Sequence, residues 1–156
     1  MFKLIPSGTI TSALGFLAGA VCSGIKAGEG PDLAILCSSV PCIAAGVFTT
    51  NQIKSAPVIL SQEHLSQRQA RAIVANSGCA NACVGQQGLS DALEMARLTA
   101  VKLGVPTEEV LIASTGVIGV PLPMSTIRPG IKNIELSPQG GHDFARAIMT
   151  TDTVSK

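Results

Sequence analysis

Apolar residues occur in short runs that polar or turn-prone residues interrupt, and several runs have the length of a buried β-strand. Residues 32–39 and 71–78 are rich in Ala, Ile, Leu and Val and end at turn residues, so each predicts a strand. Residues 110–113 predict a third strand, which stops at Ser114-Thr115-Gly116. Shorter runs predict further strands over residues 9–11, 43–48 and 56–60.

A longer segment, residues 89–103, has the spacing of an amphipathic helix. Leu89, Leu93, Ala96 and Leu103 recur at helical intervals, and Gly104 follows the last of them as a typical helix terminator. Shorter helical segments are predicted over residues 62–69, 107–109, 123–131 and 141–149. Strands that alternate with helices indicate the α/β class, and 156 residues fit a single domain over residues 1–156.

The composition points to a chain with much covered surface. Hydrophobic residues make up 46% and charged residues only 13%, which predicts packed layers and a large buried contact with another chain. A net charge of +1 without a basic patch argues against nucleic acid binding. The longest apolar stretch, residues 13–25, is too short and too rich in glycine to cross a membrane. Five cysteines, an odd number, predict free thiols in a reducing compartment.

The end of the third predicted strand is a candidate for chemistry. A buried strand that stops at small hydroxyl and glycine residues can present backbone N–H groups to a developing oxyanion. Ser114-Thr115-Gly116 fits that description. An ordinary strand-to-loop connection uses the same residue types, so both interpretations stay open at this point.

A second polar segment, residues 76–83 (NSGCANAC), follows the strand predicted over residues 71–78. The spacing of Cys79 and Cys83 invites a metal site, but no second pair accompanies them and neither His64 nor His142 has ligand spacing to them. The pattern favours a structural turn held by asparagine side chains, with both cysteines packed as small residues. His64 lies in a polar run and is predicted to be on the solvated surface.

The last segment, residues 149–153 (MTTDT), is dense in hydroxyls. It can be a tail after a helix, or a set of hydrogen-bonding partners for a polar substrate. The sequence contains no Gly-x-Ser-x-Gly elbow, phosphate-binding loop or dinucleotide fingerprint. If the protein is an enzyme, its nucleophile is therefore expected outside this chain.

Four motifs in register give a family resemblance that covers nearly the whole chain. They are residues 46–51 (GVFTTN), 76–83 (NSGCANAC), 113–119 (ASTGVIG) and 147–153 (AIMTTDT). In this order they resemble the α-chain of ornithine acetyltransferase, also called glutamate N-acetyltransferase, of arginine biosynthesis. The resemblance implies an α/β fold, a layered α-β-β-α sandwich of the self-processing ornithine acetyltransferase type, with two sheets packed between helices.

The resemblance also implies an activity. Members of this family cut a precursor into α and β chains, and the new N-terminal Thr of the β-chain is the nucleophile, with its own α-amine as base. It takes acetyl from N-acetylornithine and passes it to glutamate, and some members also accept acetyl-CoA. The implied protein is a cytoplasmic acyltransferase that uses no cofactor or metal and assembles with its β-chain as α2β2 or larger.

Site residues follow from the same resemblance. Thr115 and Gly116 correspond to the residues that stabilise the oxyanion. The substrate-binding threonine corresponds to Thr151, with Thr150 as the alternative register. The family's α-chain continues beyond this segment to a Lys-Gly-rich stretch and an Ala-Thr cleavage point. The chain is therefore expected to be C-terminally incomplete, to lack the nucleophile and to be inactive alone.

Two other functions remain open at this stage. One is a subunit of an N-terminal-nucleophile amidohydrolase or aminopeptidase, which releases its product to water instead of to glutamate. The other is a non-catalytic structural or regulatory subunit, in which Thr115→Ala would leave the activity of the assembled complex intact.

Overall fold

The computed structural model describes residues 5–155 as a four-stranded β-sheet with helices packed against it. The strands lie side by side in chain order: β1 (Phe16–Val21), β2 (Leu33–Ile43), β3 (Gln69–Cys79) and β4 (Val110–Val117). β1, β2 and β3 pair antiparallel, whereas β4 is parallel to β3, since a helix carries the chain back between them. The ends of the predicted domain, residues 1–4 and 156, lie outside the described residues.

Four α-helices accompany the sheet in the described part of the chain. They are α1 (Ala56–His64), α2 (Gly85–Leu103), α3 (Met124–Asn133) and α4 (Gly141–Ala147). Single 3₁₀ turns at Leu65–Gln67 and Thr107–Glu109 precede β3 and β4. The predicted α/β class is confirmed. Residues 5–155 contribute one sheet to the layered sandwich that the resemblance implies.

One face of the sheet, here called the covered face, packs against α1, α2 and α3 and holds the main core. Its side chains are large aliphatics that are almost fully buried: Leu33, Ile35, Val74, Val110 and Ile112 from the strands, with Leu60, Met95, Ile127 and Ile131 from the helices. Burying one such side chain is worth about 1.5–3 kcal/mol. The covered face therefore supplies most of the stability of this chain.

The opposite face, here called the open face, is only partly covered. α4 packs Phe144 and Ala147 against Ala18, Ala34 and Ala75. Farther along the strands on this face the apolar side chains are half-buried or exposed: Leu36, Ile73, Leu111 and Ala113. Leu36, Ile73 and Leu111 line a concavity of about 300 Å³.

Both outer strands have part of their free edge occupied by side-chain or loop contacts. At the β4 edge, the hydroxyl of Ser61 accepts the N–H of Ile112 and donates to its carbonyl, both at 2.9 Å. His64, also on α1, donates from Nδ1 to the carbonyl of Val110 at 2.7 Å. At the β1 edge, Ala18 and Ser137 exchange two backbone hydrogen bonds. His64 is 5% exposed, so its predicted surface position is wrong.

The strand predicted over residues 56–60 is also wrong, because these residues open α1. Ser55 is extended and precedes the helix, and Pro57 falls in the first turn, where its missing N–H removes no helical hydrogen bond. The buried residues of the helix recur at helical intervals: Ala56, Pro57, Leu60, Ser61 and His64. Residues 56–60 therefore belong to a helix although they include β-branched residues. The buried side of this helix is partly polar.

Two further strand predictions are wrong for different reasons. Residues 44–48 have no strand partner, because β3 begins at Gln69 opposite Ile43, the last residue of β2. Residues 9–11 form a turn that the N–H of Ser12 closes onto the carbonyl of Thr9 at 2.9 Å. The small-residue stretch around Gly19 forms strand β1, and a Cβ on Gly19 would collide with the carbonyl of Glu135, so this strand packs closely against its neighbour.

The long periodic segments are confirmed. β3 contains the strand predicted over residues 71–78, and α2 contains the helix predicted over residues 89–103, beginning four residues earlier at Gly85. α2 ends at Leu103 with Gly104 as its left-handed cap. Among residues 5–155, none of the helices combines the length and the apolar character that a membrane span requires.

Candidate functional site

The carboxyl ends of the two parallel strands bring two Ser/Thr-Gly pairs side by side. Ser77 lies opposite Thr115, and Gly78 lies opposite Gly116. Gly116 has φ +134°, and a Cβ on it would come within 2.6 Å of the backbone nitrogen of Cys79. A side chain at Gly116 would therefore collide with the neighbouring strand, so glycine is required for this close approach.

The Thr115 side chain projects from the open face, because Cα partners on neighbouring strands share a face of the sheet. Thr115 is half-buried, and Gly116 and Val117 after it are exposed. The sheet thus ends with a hydroxyl and a backbone amide that solvent reaches. These are the two kinds of donor that an acyl-transfer intermediate requires.

Helix α1 determines which backbone groups of β4 point away from β3, towards the lateral free edge of the sheet. Ser61 occupies both backbone groups of Ile112, so Ile112 directs its N–H and C=O away from β3. Backbone groups alternate along an extended strand, so Ser114 faces the same free edge and Gly116 follows at the next alternate position. The N–H groups of Ser114 and Gly116 at the end of β4 are therefore not used in the hydrogen bonds between β3 and β4.

The asparagine-rich segment, residues 76–83, is only partly the predicted turn, because residues 76–79 end strand β3 and residues 80–83 lead from it towards α2. The Asn76 side chain donates to the carbonyl of Cys79 at 2.9 Å and accepts from the hydroxyl of Ser114 at 2.6 Å. Asn81 donates to the carbonyl of Gly88 at 2.9 Å, at the start of α2. Cys79 is buried as expected, whereas Cys83 is exposed. Among residues 5–155, no three His, Cys, Asp or Glu side chains gather as metal ligands.

The threonine pair, Thr150 and Thr151, follows α4, which ends at Ala147 and not at Met149 as predicted. Both threonines are exposed. The hydroxyl of Ser77 donates to the carbonyl of Ala147 at 2.6 Å, which holds the end of α4 against β3. Ser77 is also the strand partner of Thr115. This one buried serine therefore joins the strand beside Thr115 to the helix that precedes Thr150 and Thr151.

Two residues of this region were not predicted as site residues. Asp32 is fully buried at the start of β2, and Lys26 precedes it in a glycine-rich turn. Lys26 donates from Nζ to the carbonyl of Met149 at 3.2 Å, so a cation lies beside the Thr150–Thr151 segment. The sequence signal was a single Asp at the start of an otherwise apolar strand, which is unusual unless a turn satisfies the carboxylate.

Other titratable groups take no direct part in this edge. Burial raises the pKa of the Cys37 thiol, with the charge of Arg71 opposing the shift, so the thiol stays protonated and is a poor nucleophile. His64 is occupied by the β4 backbone, and His142 is exposed on α4. The strand ends in residues 5–155 thus present hydrogen-bond donors of the kind that stabilise negative charge.

Comparison with known proteins identifies clear relatives. The ArgJ family model matches residues 17–156. The arginine biosynthesis bifunctional protein ArgJ of Dehalococcoides mccartyi is 54% identical over 155 residues, which is 98% of this chain and 38% of that protein. Its counterpart in Symbiobacterium thermophilum is 53% identical over 154 residues, 96% of this chain and 38% of that protein. This chain thus spans about two fifths of the length of these relatives.

Two solved structures have the same fold. The crystal structure of arginine biosynthesis bifunctional protein argJ from Bacillus halodurans superimposes with a TM-score of 0.90 at 40% identity, covering 94% of this chain and 78% of that chain. Ornithine acetyltransferase from Mycobacterium tuberculosis, complexed with ornithine, superimposes with a TM-score of 0.94 at 40% identity, covering 97% of this chain and 84% of that chain.

Proposed function

Because the chain belongs to the ArgJ family, we propose that it forms the α-chain part of a glutamate N-acetyltransferase of arginine biosynthesis. The observation that carries this proposal is the pairing of Thr115–Gly116 with Ser77–Gly78 at the ends of two parallel strands, beside the end of α4. One domain over residues 1–156 supplies this edge, and the attacking residue belongs to the β-chain of the same precursor.

The first half-reaction uses the donors of this edge. The hydroxyl of the β-chain's N-terminal Thr attacks the acetyl carbonyl of N-acetylornithine and passes its proton to the adjacent α-amine. The carbonyl oxygen becomes an oxyanion, which accepts hydrogen bonds from the Thr115 hydroxyl and the Gly116 N–H. Collapse of the intermediate breaks the C–N bond, and ornithine leaves with the proton while acetyl stays on the threonine as an ester.

The second half-reaction runs in reverse with a different amine. The α-amine of glutamate attacks the acetyl ester, the same two donors stabilise the second intermediate, and N-acetylglutamate leaves as the threonine regains its proton. The close backbone contact at Gly116 supports this proposal, because donors held rigidly in place stabilise the oxyanion without reorganisation.

Substrate binding is assigned to the segment that follows α4. Thr151, with Thr150 in the alternative register, is proposed to hydrogen-bond the substrate. The hydrogen bond from Ser77 to the carbonyl of Ala147 supports this assignment. It holds the start of the segment against β3, next to Ser77, which is the strand partner of Thr115.

The partner is proposed to cover the open face of the sheet. Half-buried Leu36, Ile73 and Leu111 form an apolar surface there, which suits a second sheet contributed by the β-chain. The resulting assembly is a cytoplasmic α2β2 or larger complex that uses no cofactor or metal. Acetyl-CoA is a second acetyl donor to be tested with the same assembly.

The decisive experiment is Thr115→Ala in the co-expressed α/β assembly. Loss of one oxyanion donor is expected to lower kcat for acetyl transfer by about 100- to 1,000-fold. The matched control is Thr107→Ala, because Thr107 is also half-buried but lies before the amino end of β4. Transfer is followed by formation of N-acetylglutamate from N-acetylornithine and glutamate.

The other outcomes are equally specific. Unchanged turnover in Thr115→Ala would assign the chain a non-catalytic role. Acetate release that does not depend on glutamate, without N-acetylglutamate, would identify a hydrolase. Equal losses in Thr115→Ala and Thr107→Ala would show that the defect is structural and would remove the support for the oxyanion role.

A further inference from the structure

Lys26 occupies an unusual position between the two parts of the proposed site. Its neighbourhood begins with Asp32, whose fully buried carboxylate accepts three backbone N–H groups. Their donors are Ser23 at 2.7 Å, Ile25 at 2.6 Å and Lys26 at 3.2 Å. A carboxylate satisfied in this way fixes the turn that carries Lys26, since Oδ2 holds the amides of Ile25 and Lys26 together and Oδ1 holds that of Ser23.

This turn lies directly on the end of β3. A Cβ on Gly78 would come within 2.8 Å of the Lys26 Cβ, and Gly78 has φ +104°, so the lysine backbone packs onto a glycine. Gly78 is in turn the strand partner of Gly116. Three backbone segments, at Lys26, Gly78 and Gly116, are therefore stacked in close contact at this edge.

The Lys26 side chain extends from this stack to the segment after α4. Its ammonium group donates to the carbonyl of Met149 at 3.2 Å, across 123 residues of sequence. Met149 immediately precedes Thr150 and Thr151. Together with the Ser77 contact to Ala147, this bond gives the segment a second attachment to the sheet.

We propose that Lys26 is a positioning residue: it holds the Thr150–Thr151 segment beside the Thr115–Gly116 edge, so that substrate-binding and oxyanion-stabilising groups act on one substrate. This inference rests on the proposed function and deepens it. An ammonium group suits the task, because hydrogen bonds to a charged group are stronger than those between neutral groups. The role is to orient the segment, and the acyl-transfer chemistry remains with the threonine and glycine.

The test compares Lys26→Met with wild type in the assembled α/β protein. Methionine keeps most of the apolar stem and removes the donor, so the KM for N-acetylornithine is expected to rise about tenfold, the equivalent of one charged hydrogen bond. kcat is expected to stay within about twofold, because the oxyanion donors are untouched. Lys26→Arg, which retains a cationic donor, is expected to restore most of the KM.

A second measurement follows the segment itself. Hydrogen–deuterium exchange of residues 148–153 is expected to become about tenfold faster in Lys26→Met, since local opening is no longer opposed by this bond. The matched control is Lys102→Met, because Lys102 also donates from Nζ to a backbone carbonyl, that of Lys132 at 2.9 Å, but on the exposed side of α2. Neither KM nor exchange of residues 148–153 should change in that variant.

The results separate this inference from the proposed function. Wild-type KM and wild-type exchange in Lys26→Met would overturn the positioning role, and so would equal effects in Lys102→Met. A wild-type assembly without acetyl transfer would overturn the proposed function, and the exchange measurement would then decide the role of Lys26 by itself. If Lys26→Met assembles poorly, Lys26→Gln, which is shorter and carries no charge, takes its place with the same expected changes.

Discussion

The two faces of the sheet are built from different side chains. The covered face carries large aliphatics such as Ile35, Val74 and Ile112, which three helices bury almost completely. The open face carries alanines under α4 and half-buried side chains elsewhere, and it bears Ser77 and Thr115 where the strands end. One face is thus complete within this chain, while the other combines an apolar surface with the polar groups of the proposed site.

The difference shows how one strand serves two purposes. Along β4, Val110 and Ile112 point into the core, while Leu111 and Thr115 point to the open face. Because side chains alternate along a strand, residues that stabilise the fold and residues that face the proposed partner are immediate neighbours in sequence. Substitutions at adjacent positions should therefore have separate consequences.

The largest effect is expected from Ile112→Ala compared with Leu111→Ala. Ile112 is 4% exposed in the core, so truncation should lower the free energy of unfolding by about 2–4 kcal/mol. Leu111 is half-buried on the open face, so its truncation should mainly weaken association with the partner. Urea unfolding of the α/β assembly at several protein concentrations measures both variants.

Concentration dependence separates the two faces. The Ile112→Ala defect should be the same at every protein concentration, whereas the Leu111→Ala defect should grow from near zero in dilute, dissociated protein to a plateau as concentration rises, because it acts on association. Equal and concentration-independent defects would contradict the distinction between a covered and an open face.

A smaller effect is expected from Ser77→Ala. This change removes the donor to Ala147 and leaves a buried carbonyl unpaired, which should cost roughly 1–2 kcal/mol of stability. Ser66→Ala, at an exposed position, is the control and should stay within about 0.5 kcal/mol of wild type. Both values come from thermal unfolding, and a neutral Ser77→Ala would show that α4 is held by its apolar contacts alone.

The smallest effect is expected for an ion pair on the solvent side of α2 and α3, two helices that pack on the covered face. Arg128 on α3 donates to Glu94 on α2 at 2.6 and 3.1 Å, and this hydrogen bond holds the pKa of Glu94 below its usual value. The pair therefore stabilises the fold above the ordinary carboxyl pKa, and the benefit is lost as pH falls through the lowered value. Stability curves of wild type and Glu94→Gln should differ slightly at neutral pH and converge in acid.

The contrast between faces also explains what sequence reasoning could predict. β3 and α2 were recognised because their apolar residues follow a regular period over many positions. α1 was missed because its buried side includes Ser61 and His64, which are polar residues engaged with the β4 backbone. Their partners lie 51 and 46 residues away, a separation that local patterns do not register.

Prediction of the site was uneven for a related reason. Thr115 and Gly116 were predicted as site residues through the family resemblance, and they stay a prediction, since Ser-Thr-Gly alone is equally typical of an ordinary turn. Lys26 and Asp32 were not identified, because their importance depends on the contact with Gly78 and on a bond to Met149 far along the chain. Close backbone packing and long-range hydrogen bonds appear only when the elements are assembled.

The covered edges of the sheet determine how the protein can grow into an assembly. Ser61 and His64 occupy the outward backbone groups of β4, and Ser137 pairs with Ala18 on β1. An added strand would have to compete with these contacts at Val110, Ile112 and Ala18. These contacts disfavour strand addition, so the proposed partner layer is expected to stack on the open face of the sheet. The hydroxyl of one serine on α1 thereby favours layered over ribbon-like association.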